Sequence, residues 1–193
     1  MCELCNKCQL FRYFVQQISN ALLSDYKITG GNSAPEYVEV PLAYSNSYLM
    51  KCLYFACLES SSEPKGNNDG IGLFHVFNNM KAYPRGPLEY DIYENLANID
   101  GLVYEDGRIS KVKVCAPDFE ENEKENVKQI REAVKKLKEH GILYMDTAKL
   151  VELSHKLDLW NDAYTFSSDR KIVITPNNVQ KEKYQYYEYG RRF

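Results

Sequence analysis

The chain has 193 residues, of which 44% are hydrophobic and 26% charged, so it is long enough to bury the core of one domain. Its 24 basic and 27 acidic residues give a net charge of −3, which argues against nucleic acid and anionic lipid as partners. The longest apolar run, around residues 48–58, contains Lys51 and is far shorter than the roughly 20 residues of a membrane span. The N-terminus has neither a basic region nor a cleavage signal. We therefore expect a cytoplasmic protein whose six cysteines are reduced.

The first part of the chain predicts two helices. An apolar stripe at helical spacing indicates an amphipathic helix over residues 8–24. Residues 32–46 contain two prolines and an apolar alternation at 37–40, which favours a connection with a short strand. Residues 48–60 are apolar on nearly all sides, a pattern typical of a helix buried at the centre of a bundle. Residues 60–70 have the composition of a mobile surface loop and are the segment where we most expect disorder.

The middle of the chain predicts short elements. Residues 71–80 are expected to form a short helix, and residues 87–98 the helix that follows it. A β-hairpin is predicted from residues 102–104 and 109–114, because the Asp-Gly pair between them tolerates the positive φ angles of a tight hairpin turn.

Two helices are predicted next. The first begins near Asn122 and ends at His140-Gly141, where glycine favours a helix stop. The second is capped by Asp146 or Thr147. Its apolar face continues as a single stripe made of Leu150, Leu153, Leu157 and Trp160.

The C-terminal part predicts a strand at residues 171–175 and a closing helix at 176–189. Residues 181–192 interleave basic and tyrosine side chains, which could stack on single-stranded bases. Glu182 and Glu188 dilute that charge, so a closing helix with tyrosines packed at one edge is the favoured interpretation.

A turn bracketed by two prolines lies near the middle of the chain. Pro84 and Pro87 flank Arg85-Gly86, and the fixed φ of Pro87 suits the first turn of a helix. Glu89 and Asp91 would then lie in that first turn, where carboxylates complement the helix dipole. Such a corner is either a structural turn that many folds use or a rigid surface that binds a partner.

Three stretches resemble the signature segments of the Panacea (SocA-like) domain family, and they occur in the family's order. They are residues 49–56 (LMKCLYFA), 82–93 (AYPRGPLEYDIY) and 150–160 (LVELSHKLDLW). The resemblance implies a Panacea domain over residues 48–193, preceded by an N-terminal helical extension, residues 1–47, that packs on it. Compared with the family, the extension and residues 59–70 are additions.

The resemblance also implies a function. Members of the family serve as antitoxins that neutralise a toxin encoded beside them by direct binding, and at least one presents its toxin to a protease. The alternative is a stand-alone or phage-associated interaction or adaptor protein. The partner-binding residues that the resemblance implies are Tyr83, Arg85, Gly86, Pro87, Tyr93, Ser154, His155 and Trp160. The expected partners are a protein toxin encoded nearby and, for an adaptor, a protease.

Two other arrangements suggest chemistry. Cys2, Cys5 and Cys8 have the spacing of zinc ligands, but a closed site needs a fourth ligand and no second pair follows. Ser154 and His155 are adjacent, but neighbours on a helix point about 100° apart and cannot act as a nucleophile and base without a further element. We therefore expect no cofactor, no metal and no catalysis. The fold we expect is mainly α (α+β), a multi-helix bundle around a central buried helix with a small antiparallel β element.

Overall fold

A computed structural model describes residues 3–23, 37–64, 70–113, 119 and 123–190, and for residues 37–44 the backbone alone. Its fold is mainly helical with a small antiparallel β element, which confirms the predicted fold class. The described helices are α1 (Glu3–Leu23), α2 (Asn46–Ser60), α3 (Tyr90–Asn95), α4 (Lys124–Glu139), α5 (Thr147–His155), α6 (Asp158–Phe166) and α7 (Pro176–Gly190). The described strands are β1 (Tyr37–Ser45), β2 (Met80–Tyr83), β3 (Gly86–Glu89), β4 (Leu102–Glu105) and β5 (Arg108–Lys113).

Helix α2 lies at the centre of the molecule, as its sequence predicts. Every residue from Tyr48 to Glu59 is buried, and the helix contacts α4, α5, α7 and β3. Its first turn is capped by Ser45, whose hydroxyl accepts a hydrogen bond from the Tyr48 amide at 3.2 Å. A helix that is apolar on all sides needs neighbours on all sides, and here the other helices and β3 supply them.

Helix α1 packs against α4 and contributes its apolar face to the same core as α2. It begins at Glu3, five residues earlier than the apolar stripe alone indicates. One buried cation on this helix, Lys7, is neutralised by two acidic groups. Its ammonium donates to Glu89 Oε1 at 2.9 Å and to Asp91 Oδ2 at 2.6 Å. Helix α1 is therefore tied by an ion-pair network to the segment that follows the proline-bracketed turn.

The three-stranded sheet has the order β1-β5-β4, with both pairs antiparallel. The predicted β-hairpin is present, and its turn residues Asp106 and Gly107 have φ angles of 50° and 75°. The Asp-Gly pair was predicted to form this turn because it tolerates positive φ angles, and both residues have them.

The prediction of a helix that starts at Pro87 is wrong. Residues 80–89 form a hairpin in which β2 and β3 pair antiparallel. Pro87 lacks a backbone donor but is tolerated, because β3 pairs with β2 on one side only and is an edge strand. Helix α3 begins at Tyr90, and the Glu89 carboxylate caps it by accepting a hydrogen bond from the Ile92 amide at 2.8 Å.

Two further predictions are corrected. The helix expected at residues 71–80 is a single 3₁₀ turn, Gly72–His75, followed by β2. The strand expected at residues 171–175 is reduced to one bridge between Lys171 and Lys81. Local sequence does not distinguish these cases, because the deciding contact in each is with the β2–β3 hairpin. Of the segment where disorder was expected, residues 60–70, residues 65–69 lie outside the described residues.

The stripe that ends at Trp160 is carried by two helices and not one. Helix α5 is capped by Asp146, whose carboxylate accepts from the Lys149 amide at 2.8 Å. Helix α6 starts anew at Asp158, and a distant side chain, Glu182 on α7, accepts from its Leu159 amide at 3.0 Å. The Asp158 amide donates to Gln185 Oε1 at 3.2 Å. The chain can therefore break between the helices while the first two amides of α6 find acceptors on α7.

Glu182 is itself buried, with 1% of its surface exposed. The Tyr54 hydroxyl donates to its Oε1 at 2.5 Å. Burial raises the pKa of Glu182 to about 7, against the opposing effect of the Tyr54 and Leu159 hydrogen bonds. The closing helix α7 is thus anchored at the core by a carboxylate as well as by apolar contacts.

No described helix is long and apolar enough to cross a membrane.

Candidate functional site

The β2–β3 hairpin, the start of α2 and the α5–α6 junction meet at one corner of the protein. They include residues 49–56, 82–93 and 150–160, the three stretches singled out in the sequence. The corner is held by side chains that reach between elements: Lys51 from α2, Ser154 and His155 from α5, and Trp160 from α6. The turn between β2 and β3, Pro84-Arg85, is exposed.

Lys51 lies beneath the turn with only 2% of its surface exposed. Its ammonium donates to the Pro87 carbonyl at 2.6 Å. Burial, together with a smaller effect of the positive charge of Arg85, lowers the pKa of Lys51 to about 7. Lys51 was not among the predicted site residues, although it is the one charged residue in the apolar run 48–58 and that isolation was a usable signal.

Gly86 allows the hairpin to approach α2 and α5. Its φ is +93°, a region that L side chains rarely adopt. A Cβ at this position would overlap the Ser154 hydroxyl oxygen and Lys51 Cε. Glycine is therefore required here by backbone conformation and by space at the same time.

Trp160 fixes the other side of the hairpin. Its indole Nε1 donates to the Tyr83 carbonyl at 3.0 Å, and 7% of the residue is exposed. The indole stacks between the rings of His155 and Tyr164, with centroid distances of 3.9 and 4.9 Å. The carbonyls of Tyr83 and Pro87, on either side of the turn, are thus both held by donors from other helices.

Ser154 and His155 do not form a nucleophile and base pair. The Ser154 hydroxyl is buried and donates to the Val151 carbonyl at 2.8 Å. The pKa of His155 is lowered by burial and by the charge of Lys51, while a hydrogen bond to the Pro84 carbonyl opposes this. No carboxylate or thiol of the described residues bonds to the imidazole, and its Nε2 is buried without a partner there. The arrangement orients an aromatic stack and prepares no attacking oxygen.

A groove of about 280 Å³ opens beside the turn. It is lined by Asn46, Ser47, Met50, Lys51, Tyr83, Pro84, Arg85, Gly86, Leu88 and Tyr93. Tyr83 is half-buried, and 39% of Tyr93 is exposed; their ring centroids lie 6.4 Å apart. Arg85 is exposed and makes no hydrogen bond or ion pair with the part of the chain described. Tyrosine and arginine are the side chains most enriched where proteins bind one another tightly.

The eight predicted site residues therefore come together but divide into two groups. Gly86, Pro87, Ser154 and Trp160 are buried and hold the corner in shape. Tyr83, Arg85 and Tyr93 face the groove, whereas His155 is half-buried between the two groups.

The N-terminal cysteines lie far from the corner in sequence. Cys5 is exposed and Cys8 is half-buried on α1, while Cys2 lies outside the described residues. Within the described ranges, no group of three or more His, Cys, Asp or Glu side chains is placed to hold a metal ion.

A larger cavity, about 470 Å³, lies between α4 and α7 and away from the predicted site residues. The buried Glu59 carboxylate beside it is bonded by His140 at 2.7 Å and by the hydroxyls of Tyr186 and Tyr187, both at 2.9 Å. Because each oxygen of this carboxylate is already hydrogen-bonded, we interpret the cluster as an anchor for α7. Tyr186 and Tyr187 thus pack inward at this edge, as the favoured interpretation of the C-terminal segment expects, whereas Tyr184 is exposed.

Comparison of the chain with protein-family models, with curated proteins and with solved structures finds no match.

Proposed function

We propose that this protein is a non-catalytic interaction domain that neutralises a toxin encoded nearby by binding it directly. The observation that carries the proposal is the meeting of residues 49–56, 82–93 and 150–160 at one corner. Segments that resemble one family's signatures lie far apart in the chain. Residues of the first two line one groove with tyrosine and arginine at its rim, and residues of the third hold the hairpin from its other side.

The rigidity of the corner favours binding. The donors of Lys51 and Trp160 hold the carbonyls on both sides of the turn, and two prolines restrict the backbone between them. A surface that is already ordered loses little conformational entropy when a partner binds, so more of the contact energy remains as affinity. The same rigidity has no evident use in catalysis, because Ser154 is hydrogen-bonded to its own helix.

A second candidate is an adaptor that binds through the same corner and delivers its partner to a protease. It differs from the antitoxin in the fate of the partner, whose level would fall in cells that contain the protease.

The test is rescue of growth. The product of the neighbouring gene is expressed with the protein or with an Arg85→Ala/Tyr93→Ala variant, and growth and partner level are measured. Because both side chains are exposed or nearly so, the variant is expected to lose rescue while its free energy of unfolding changes by less than about 1 kcal/mol.

A matched control removes an arginine and a tyrosine elsewhere. Arg131 is exposed on α4, and Tyr184 on α7 is 66% exposed, so Arg131→Ala/Tyr184→Ala should still rescue growth. A folded Arg85→Ala/Tyr93→Ala protein that rescues as well as the control would show that the groove is not the binding surface. A neighbouring product that is not toxic would contradict the antitoxin function itself.

A further inference from the structure

The protein contains two buried lysines whose environments differ. Lys7 is 3% exposed and pairs with two carboxylates, Glu89 and Asp91. Lys51 is 2% exposed, yet its ammonium has a single described hydrogen-bond partner, the neutral Pro87 carbonyl. An ammonium has three N–H donors, and a buried charge without a counter-charge is strongly destabilising.

The charged neighbours of Lys51 add to the imbalance. Arg85 lowers the pKa of Lys51, although less than burial does, and Lys51 in turn lowers the pKa of His155. Basic groups are therefore close together at this corner. No carboxylate is among the described groups that act on Lys51. Lys51 and Arg85 both line the groove. The groove is therefore lined by two basic residues and by no described acidic one. An anion bound there would favour the charged form of Lys51, whose pKa of about 7 leaves it only partly protonated at neutral pH.

A third group lining the groove also lacks a partner. Asn46 donates from Nδ2 to the Tyr104 hydroxyl at 2.8 Å, but its Oδ1 is buried without a hydrogen bond to any described residue. That oxygen is an acceptor and needs a donor, such as a backbone N–H of a bound partner segment, because a carboxylate has no proton to give it. Unsatisfied buried polar groups are uncommon in folded proteins and indicate a missing interaction.

We propose that the groove binds an acidic side chain of the partner protein, with its carboxylate between the Lys51 ammonium and the Arg85 guanidinium. This inference rests on the proposed function, since it specifies the chemistry that the partner brings to the same surface.

The size of the groove and the abundance of acidic residues define the occupant. A volume of about 280 Å³ is just below the roughly 300–1,000 Å³ of sites for drug-sized ligands, so it suits one side chain. A protein surface carries many acidic side chains and a single C-terminus, which makes a side chain the occupant we choose. Arginine binds carboxylates through two parallel hydrogen bonds, and no described residue occupies a donor of Arg85.

The experiment uses short peptides and the full chain, so it does not depend on knowing the toxin. Acetyl-Ala-Glu-Ala-amide carries one side-chain carboxylate, and acetyl-Ala-Gln-Ala-amide is its uncharged counterpart. A third peptide, acetyl-Ala-Gln-Ala with a free C-terminus, carries a terminal carboxylate alone. Binding is measured by NMR titration at constant ionic strength, following the Arg85 side-chain N–H and the Gly86 amide.

We expect the glutamate peptide to bind and the amidated glutamine peptide not to bind. Arg85→Gln should weaken binding of the glutamate peptide about tenfold or more, the factor expected for loss of a charge-assisted hydrogen bond. Lys51→Met should weaken it as well. The control Arg131→Gln, which removes an exposed arginine on α4, should bind as the natural protein does.

Several results would overturn the inference. One is equal binding of the glutamate and amidated glutamine peptides, and another is binding confined to the peptide with a free C-terminus. A third is a Lys51→Met protein that is destabilised while Arg85→Gln leaves peptide binding unchanged, which would give Lys51 a structural role alone. If Lys51→Met does not fold, Arg85→Gln against Arg131→Gln decides.

The two proposals fail separately. Peptide binding that needs Arg85, in a protein that rescues no growth, would retain the carboxylate site and reject the antitoxin function. Rescue that depends on Arg85 without any binding of the glutamate peptide would do the reverse.

Discussion

Replacing Gly86 by alanine should destabilise the protein more than the same change at any exposed turn. Two costs arise from the structure. An L residue at a φ of +93° is strained by about 1–2 kcal/mol. The added Cβ also overlaps Ser154 Oγ and Lys51 Cε, and forcing an extra carbon into a packed site costs about 1–3 kcal/mol. Together we expect a loss of about 2–5 kcal/mol.

Gly107 provides the matched control. It has a φ of +75° in the β4–β5 turn, but a Cβ there would meet no described atom within 4 Å. Gly107→Ala should therefore show the backbone strain without the overlap, about 1–2 kcal/mol. The free energy of unfolding is measured by urea denaturation of both variants, with near-equal slopes as the condition for comparing them.

The packing at the corner is tested by the difference between the losses of unfolding free energy in Gly86→Ala and in Gly107→Ala. If Gly86→Ala costs no more than Gly107→Ala, the hairpin is not held against α2 and α5 as the structure has it. A second variant sharpens the result: adding Ser154→Ala to Gly86→Ala removes one of the overlapping atoms and should recover part of the lost stability. If Ser154→Ala instead lowers the stability of Gly86→Ala by as much as it lowers that of the natural protein, the contact between the added Cβ and Ser154 Oγ is contradicted.

Two other predictions follow from the core. Trp160→Ala should lower the free energy of unfolding by about 3–5 kcal/mol, because burial is lost and a cavity forms. The natural protein should also show the fluorescence of a buried indole. An unchanged denaturation midpoint would contradict the placement of this side chain. Burial raises the pKa of Glu182 to about 7 in the folded protein from its ordinary value of 4.5. The folded state therefore holds this proton more tightly than the unfolded chain, and stability falls as pH rises between these two values. Glu182→Gln should remove this part of the pH dependence, which amounts to up to about 3 kcal/mol between about pH 4 and pH 8. The free energy of unfolding of both proteins is measured by urea denaturation across this pH range, and parallel plots against pH would refute the assignment.

Much of the helical framework follows from sequence alone. Helices α1 and α4 were predicted because their apolar positions recur at helical spacing, which one face of a helix must satisfy whatever it packs against. Helix α2 was predicted because its sequence is apolar on nearly all sides, as a helix at the centre of a bundle requires. The β4–β5 hairpin was predicted for a similar reason, since the positive φ angles of its turn are a local property of Asp-Gly. These elements depend on residues that are neighbours in the chain.

The corner was decided by tertiary structure. The fixed φ of Pro87 suits a helix start and an extended strand equally well, and pairing with β2 selected the strand. The break between α5 and α6 depends on Glu182, a capping group that lies 23 residues away in sequence from the amide it accepts.

The lack of described acidic groups around Lys51 likewise could not be predicted from the sequence. The chain as a whole has more acidic than basic residues, and Lys7 found its carboxylates where Lys51 did not. Which charges face one another depends on how α2, α5 and the β2–β3 hairpin pack. Local sequence determined the elements, while the packing between them determined where a buried cation and an exposed arginine share a groove without an anion.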